Sequence, residues 1–277
     1  MQKYRLLIET DDQKGLVYKV SKIIYENNLN VERNSEFVDK LRNKFFMRTV
    51  FSGEVNIKQM LIDLQNTLPT NSQIKLVDSS KKNIVILATK EMHCLGDLLI
   101  KYAEGKLDAN ITAVISNYDN LRSLVDKFDI PFEHISHEGI SREEHESRVC
   151  DIIKTYQHDI IVLAKYMRIL SPNFVKYFQG KLLNIHHSFL PAFIGANPYK
   201  QAYERGVKII GATSHFVTDD LDEGPIIAQD IIRVDHSYSW QAMRDAGHDV
   251  EKNVLSTALK LVLKDKVFVY NNKTVIL

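Results

Sequence analysis

Cysteine is nearly missing from this chain: Cys94 and Cys150 are the only two, far apart and in no CxxC pair. That excludes a secreted disulfide framework and fits a reducing cytoplasm. Glycine and proline are scarce, 11 and 6 in 277 residues, which excludes collagen-like and low-complexity classes. No apolar run reaches the roughly 18 residues of a membrane span. The opening MQKYRLLIETDDQKG lacks an apolar stretch of signal-peptide type, so neither membrane insertion nor export is expected. Charge of one sign is lacking too. Lys plus Arg number 36 against 35 Asp plus Glu, a formal charge of +1, so no whole-molecule field draws the chain to nucleic acid.

What is present is a chain 44% hydrophobic and 26% charged, long enough for one large domain or two ordinary ones. Its first 77 residues read as βαββαβ. Tyr4 to Glu9 is strand-like, and Asp12-Gln13-Lys14-Gly15-Leu16 turns into a helix carrying Leu16, Val20, Ile23, Ile24 and Tyr25 at helical spacing. Strands follow at Asn30–Val38 and Lys44–Phe51, then a helix with Ile57, Leu61, Leu64 and Leu68 on one stripe, then a strand at Gln73–Val77. This order predicts a ferredoxin-like split βαβ sandwich over residues 1–80. The polar stretch Asp78–Lys82 marks a boundary.

From residue 81 to 277 the pattern changes to continuous apolar runs, Asn83–Ala88, Ile111–Ile115 and Asp159–Ala164, alternating with helices. Such runs are strands buried on both faces, and their alternation with helices predicts a doubly wound, Rossmann-like α/β sheet. Ser141-x-x-Glu144 is a capping box opening one of these helices. Further strands are expected at Leu182–Ile185, Ile209–Val217 and Pro225–Val234, then a helix from Trp240 to Leu263 and a closing hairpin at Val267–Ile276.

Chemistry concentrates in Asn184-Ile185-His186-His187-Ser188-Phe189-Leu190-Pro191, His215, and Asp219-Asp220-Leu221-Asp222-Glu223-Gly224-Pro225. On a strand Asn184 and His186 point to one face and His187 to the other. An amide donor, an imidazole and a carboxylate suit acyl transfer or amide hydrolysis. Singly, each also reads as an ordinary strand-end or turn residue. No HExxH helix or CxxC pair points to a metal, since position 149, four residues after His145, is Val149.

These segments, continued by Ala192-Phe193-Ile194-Gly195-Ala196 and Gly211-Ala212-Thr213-Ser214-His215-Phe216-Val217, closely resemble the formyltetrahydrofolate deformylases. The resemblance implies an N-terminal ACT domain over 1–80 and a formyltransferase-type catalytic domain over 81–277. It implies hydrolysis of 10-formyltetrahydrofolate by water to formate and tetrahydrofolate, with the formate feeding purine synthesis and the one-carbon folate pool in balance. Asn184, His186 and Asp222 match the family's catalytic trio: Asn184 donates to the oxyanion, His186 supports it and passes a proton to N10, and Asp222 orients and deprotonates water. His215 and His187 are supporting residues. Met167, Arg168, Ile169, Leu170 and Gly195 match folate-binding positions, and Asp12, Gly15 and Leu16 match an effector-binding loop that would take a small amino acid. The resemblance also implies a homo-oligomer, with no metal, no cofactor beyond the folate substrate, and no nucleic-acid or membrane partner. Whether the ACT-like unit senses an effector or only joins subunits stays open.

The acceptor needs its own argument. Glycinamide ribonucleotide transformylases, in the same superfamily, follow the first sheet strand with a glycine-rich phosphate cradle. Here that stretch is Ala88-Thr89-Lys90-Glu91-Met92-His93-Cys94-Leu95-Gly96-Asp97, with one glycine and two acids. His187 stands where those enzymes carry proline. Water is the expected acceptor; the alternatives are transfer to glycinamide ribonucleotide and a non-catalytic ACT-folate sensor.

Overall fold

The computed structural model describes residues 2–192 and 197–277. The chain divides into two compact units. The first is built from β1 (Lys3–Asp11), α1 (Leu16–Glu26), β2 (Asn30–Asp39), β3 (Lys44–Ser52), α2 (Ile57–Thr67) and β4 (Gln73–Asp78). Its antiparallel sheet has the order β2-β3-β1-β4. This is the expected ferredoxin-like, ACT-like arrangement.

Gly15 opens α1 at φ 90°, a left-handed conformation that glycine reaches without strain. Leu16, Val20, Ile23 and Ile24 then pack onto Leu6, Ile8 and Met47 of the sheet. Tyr25 is not on that stripe: it is 80% exposed, because one step past Ile24 turns the side chain off the buried face. In α2 the buried stripe is Met60, Leu64 and Leu68, with Ile57 exposed and Leu61 half-buried at its edge.

The other face of this sheet is covered by the end of the chain. Residues Lys264–Tyr270 and Thr274–Leu277 belong to the first unit, including β12 (Val267–Tyr270) and most of β13 (Lys273–Ile276), whereas the sequence division placed them in the second. Leu7 and Phe46 pack with Phe268, and Phe46 meets Phe268 edge-on at 5.6 Å between centroids. Arg5 pairs with the Asp265 carboxylate at 3.0 Å, and Arg48 donates to the Asp265 and Lys264 carbonyls at 2.9 and 2.7 Å. This explains why β1 and β3 are buried almost continuously rather than alternately.

The second unit contains β5 (Lys82–Ala88), α3 (His93–Ala103), β6 (Ala109–Ser116), α4 (Arg122–Val125), β7 (Phe132–His134), α5 (Arg142–Thr155) and β8 (Ile160–Ala164). It continues with α6 (Pro172–Tyr177), β9 (Leu182–His186), α7 (Pro198–Arg205), β10 (Ile209–Phe216), β11 (Ile226–Arg233) and α8 (Trp240–Leu263). The seven-stranded sheet has the order β11-β10-β9-β8-β5-β6-β7. β5 to β9 run parallel, and β10 is antiparallel to both of its neighbours, β9 and β11. The Ser141 side chain caps α5 by accepting from the Glu144 amide at 3.1 Å, as the capping box requires. The carboxyl ends of β8 and β9 open on one side of this sheet, and the site lies there.

Candidate active site

Strand register assembles the site. Asn184 on β9 stands opposite Leu163 of parallel β8 and His215 of antiparallel β10. Asn184 and His215 are thereby direct cross-strand neighbours, and His186 follows two residues on, on the same face. Asp222 arrives on the loop between β10 and β11 with φ 57°, a left-handed conformation that aspartate tolerates better than most residues. Behind it, Gly224 lies so close to the chain that a Cβ would overlap the Phe216 carbonyl oxygen. Glycine at 224 is what lets this loop fold tightly against β10.

The hydrogen bonds fix proton positions. His215 Nδ1 donates to the Phe216 carbonyl at 2.9 Å, so the neutral ring presents Nε2 as acceptor, and Asn184 Nδ2 donates to it at 3.2 Å. One N–H of the Asn184 amide remains for a ligand. Asp222 Oδ2 is 3.2 Å from His186 Nδ1, and Oδ1 is 3.7 Å from His215 Nε2. A carboxylate only accepts, so His186 carries its proton on Nδ1. Its Nε2 is buried and has no hydrogen-bond partner among the described residues. Burial alone would raise the Asp222 pKa, but the hydrogen bond from His186 Nδ1 and the imidazoles around the carboxylate outweigh it and hold the carboxyl well below the usual range.

These residues line a cavity of about 290 Å³, together with Met167, Arg168, Ile169 and Leu170. Met167 and Ile169 are 55% and 60% exposed, an unusual state for apolar side chains directly after a buried strand. That exposure suits a flat, partly apolar ligand, in a cavity of the kind small molecules use. The Met167 amide donates to Thr89 Oγ1 at 3.0 Å, tying this segment to the end of β5.

His187 reaches the same cavity wall, but its ring lies 6.1 Å from that of Tyr199, and burial, reinforced by the Lys165 charge, pushes its pKa down to about 3. It is a neutral imidazole. Gly195 falls outside the described residues. Asp12, Gly15 and Leu16 belong to the first unit; Asp12 donates its amide to the Asn43 carbonyl at 2.8 Å, and the Leu16 side chain is core, 2% exposed. Only backbone of that turn is available at Leu16.

The sequence reading missed a buried polar cluster beside the cavity. Glu251 of α8, fully buried, accepts from Tyr199 Oη at 2.5 Å and His93 Nε2 at 2.8 Å, and pairs with Lys165 at 3.2 Å. Burial would raise its pKa, yet His93, Lys165 and Tyr199 hold it at about 2. The signal was there: Glu251 shares its helix face with Val254, Leu255 and Ala258, all buried, and a lone acid on an apolar stripe needs partners. Cys94 is buried nearby with its thiol pKa raised well above the usual range by burial, as an inert thiol would be.

Residues 82–259, which carry this doubly wound sheet and the Asn184–His186–Asp222 cluster at its strand ends, match the family model described as Formyl transferase. A formyltetrahydrofolate deformylase of Escherichia coli is 59% identical over 266 residues, covering 96% of this chain and 95% of that protein. The crystal structure of a formyltetrahydrofolate deformylase from Pseudomonas syringae superposes with a TM-score of 0.95 at 40% identity, covering 100% of this chain and 94% of that one. Glycinamide ribonucleotide transformylase 1 from Symbiobacterium toebii matches less of it, with a TM-score of 0.68 at 28% identity over 71% of this chain and 94% of that one. The chain belongs to the formyltetrahydrofolate deformylase family.

Proposed function

We propose that this chain hydrolyses 10-formyltetrahydrofolate to formate and tetrahydrofolate. The observation that carries the reading is the convergence of Asn184, His186 and Asp222 on one cavity whose wall is Met167–Leu170. Its family membership supports the same substrate. A folate seated along Met167–Leu170 brings its formyl group to the trio, where the free Asn184 N–H donates to the oxygen as it gains charge. The water is the nucleophile, and its proton goes to His186 Nε2, the buried nitrogen without a partner. Asp222 is held too far down to be an effective base; it fixes the His186 Nδ1 proton and stabilises the imidazolium, as the acid of a catalytic triad does. The family pattern by itself put water deprotonation on Asp222; the hydrogen bonding favours His186. As the C–N10 bond breaks, His186 returns the proton to N10, and the formic acid released gives its remaining proton to solvent and leaves as formate.

The end of β5 supports water over a phosphorylated amine. Glu91 lies just before the N-terminus of α3, where a phosphate would meet a carboxylate rather than a run of glycine amides. The ACT-like unit would hold subunits together or take a small amino acid at the Asp12–Gly15 turn, and the cytoplasm would be the enzyme's setting. Incubation with 10-formyltetrahydrofolate and no amine acceptor should release formate and tetrahydrofolate in equal amounts. A requirement for glycinamide ribonucleotide would overturn the reading, and so would tight binding without turnover.

A further inference from the structure

Lys165 sits where the backbone does not favour a lysine. Of the nine non-glycine residues with left-handed φ among the described residues, eight are Asn or Asp, which tolerate that region, and the ninth is Lys165 at φ 59°. It is the first residue after β8, and its side chain is 3% exposed. A long charged side chain that is both strained at its Cα and buried persists only where the surroundings hold it. Here they do. Lys165 Nζ lies 3.2 Å from Glu251 Oε2 and 3.5 Å from Glu91 Oε2. Glu251 is fixed in turn by Tyr199 Oη and His93 Nε2. Gly247, one turn before Glu251 on α8, leaves room for this contact, since a Cβ there would overlap the Tyr199 phenol.

Strand register says where this group stands. Leu163 of β8 is level with Asn184 of parallel β9, so two residues further along Lys165 comes level with His186. On its other side β5 ends at Ala88, level with Ala164, and Glu91 and His93 follow. Lys165 therefore lies between the trio proposed for formyl hydrolysis and the end of β5. At this place the sheet reverses its winding: β5 leads outward through β6 to β7, and β8 and β9 lie on the opposite side. In open α/β sheets such a switch point is the usual ligand crevice. Lys165 lines the cavity together with the trio and Met167–Leu170. A folate seated along Met167–Leu170 leaves the β5 side as the approach for a second substrate. That side is filled by the Lys165 stem and by the Glu251 cluster that holds it.

We propose that Lys165 is the residue that selects the formyl acceptor: pinned by Glu251, its side chain walls off the β5 side of the cavity, so that water reaches the formyl carbon and an amine does not. This rests on the hydrolysis proposed above and names what makes water the nucleophile. An amine would attack as water does. Its N–C bond forms, the C–N10 bond breaks, and the proton shed by the amine passes through His186 to N10, giving a formamide and tetrahydrofolate. The trio cannot refuse it, since Asn184 answers only the carbonyl oxygen and His186 takes a proton from either nucleophile. Refusal has to come from shape. An alkyl side chain at 165 would fill the space with its end untethered, whereas swinging Lys165 aside breaks a buried ion pair and leaves both charges uncompensated.

The probe is glycinamide, a small primary amine, given to the full-length protein with 10-formyltetrahydrofolate at a pH where the amine is largely uncharged. Formate, N-formylglycinamide and tetrahydrofolate are measured together. Wild type should release formate and tetrahydrofolate in equal amounts with or without the amine. Lys165→Asn suits the left-handed backbone and can still donate to Glu251, but shortens the wall; Lys165→Gly removes it. Formylglycinamide per tetrahydrofolate should rise about tenfold or more over wild type in Lys165→Asn, and further in Lys165→Gly. Lys165→Met, of similar length without the charge, should behave as wild type. Folate binding, followed by ligand fluorescence, identifies the variants that fold. Formate as the sole formyl product of a folate-binding Lys165→Asn or Lys165→Gly would overturn the wall, and so would equal diversion by Lys165→Met and Lys165→Gly. Formylation of glycinamide by wild type, or loss of folate binding in all three variants, would also overturn it. A wild type that releases no formate without the amine would instead overturn the hydrolytic reading itself.

Discussion

In the βαββαβ unit, the buried guanidinium groups of Arg5 and Arg48 are met by the Asp265 carboxylate and by two backbone carbonyls of the returning tail. In the α/β unit, His186 Nε2, Asn117 Oδ1 and His145 Nδ1 are buried with no hydrogen-bond partner among the described residues, and no such atom occurs among the described residues of the first unit. An unpaired buried polar atom costs stability, so a fold tolerates it where something is gained. His186 lies at the carboxyl end of a central strand, where a ligand can complete it. The contrast teaches where to look for chemistry: not at the densest charge, but at charge and lone pairs the chain leaves unanswered.

The largest expected effect tests the unanswered side. Asp222→Asn removes the group that holds the His186 proton on Nδ1, and by analogy with triad carboxylates turnover should fall roughly 10⁴-fold. Folate binding, followed by ligand fluorescence, should change little. A loss of only a few-fold would mean that the bare His186 nitrogen takes no part in the reaction. On the answered side, Asp265→Ala leaves Arg5 without its partner carboxylate and should destabilise the first unit by about 3–5 kcal/mol, read by hydrogen exchange of β1 and β3. Formate release per folded molecule should be unchanged, and a matching loss of turnover would erase the distinction between the units.

Gly224→Ala forces the loop carrying Asp222 off the Phe216 carbonyl. A displacement of about 1 Å in a catalytic group costs on the order of 10²-fold in rate, so steady-state kinetics should show kcat falling by that order. The smallest effect is a pH dependence. His187 is neutral in the fold with a pKa of about 3 against an ordinary 6.5, so the unfolded chain binds its proton first. The stability it contributes is complete above about pH 6.5 and is lost as pH falls toward 3, with a slope approaching 1.4 kcal/mol per pH unit. Denaturation midpoints across that range should show the slope, and His187→Asn should flatten it.

Much of this was legible in the sequence, for identifiable reasons. Helical spacing placed Leu16, Val20, Ile23 and Ile24 on one buried face, and continuous apolar runs marked the parallel strands of a sheet covered on both sides. The two-residue spacing of Asn184 and His186 put both on the cavity side of β9. What escaped were features fixed by contacts between distant segments. Spacing along α2 could not show that Met60, and not Ile57, would meet the sheet. Nothing near Arg5 or Arg48 announced a partner more than two hundred residues away. The polar cluster around Glu251 draws on His93 of α3, Lys165 after β8 and Tyr199 of α7, and only Glu251, stranded on an apolar helix face, betrayed it.

The returning tail has a consequence for how the molecule is made. One face of the first sheet is closed by Phe268 and by Asp265 beneath Arg5, residues a ribosome adds only after the entire α/β unit. This sheet is therefore finished late, and until residues 264–277 arrive it carries Leu7 and Phe46 uncovered on that face. During synthesis that face of the sheet needs shielding, and the arrival of residues 264–277 is the event that seals it.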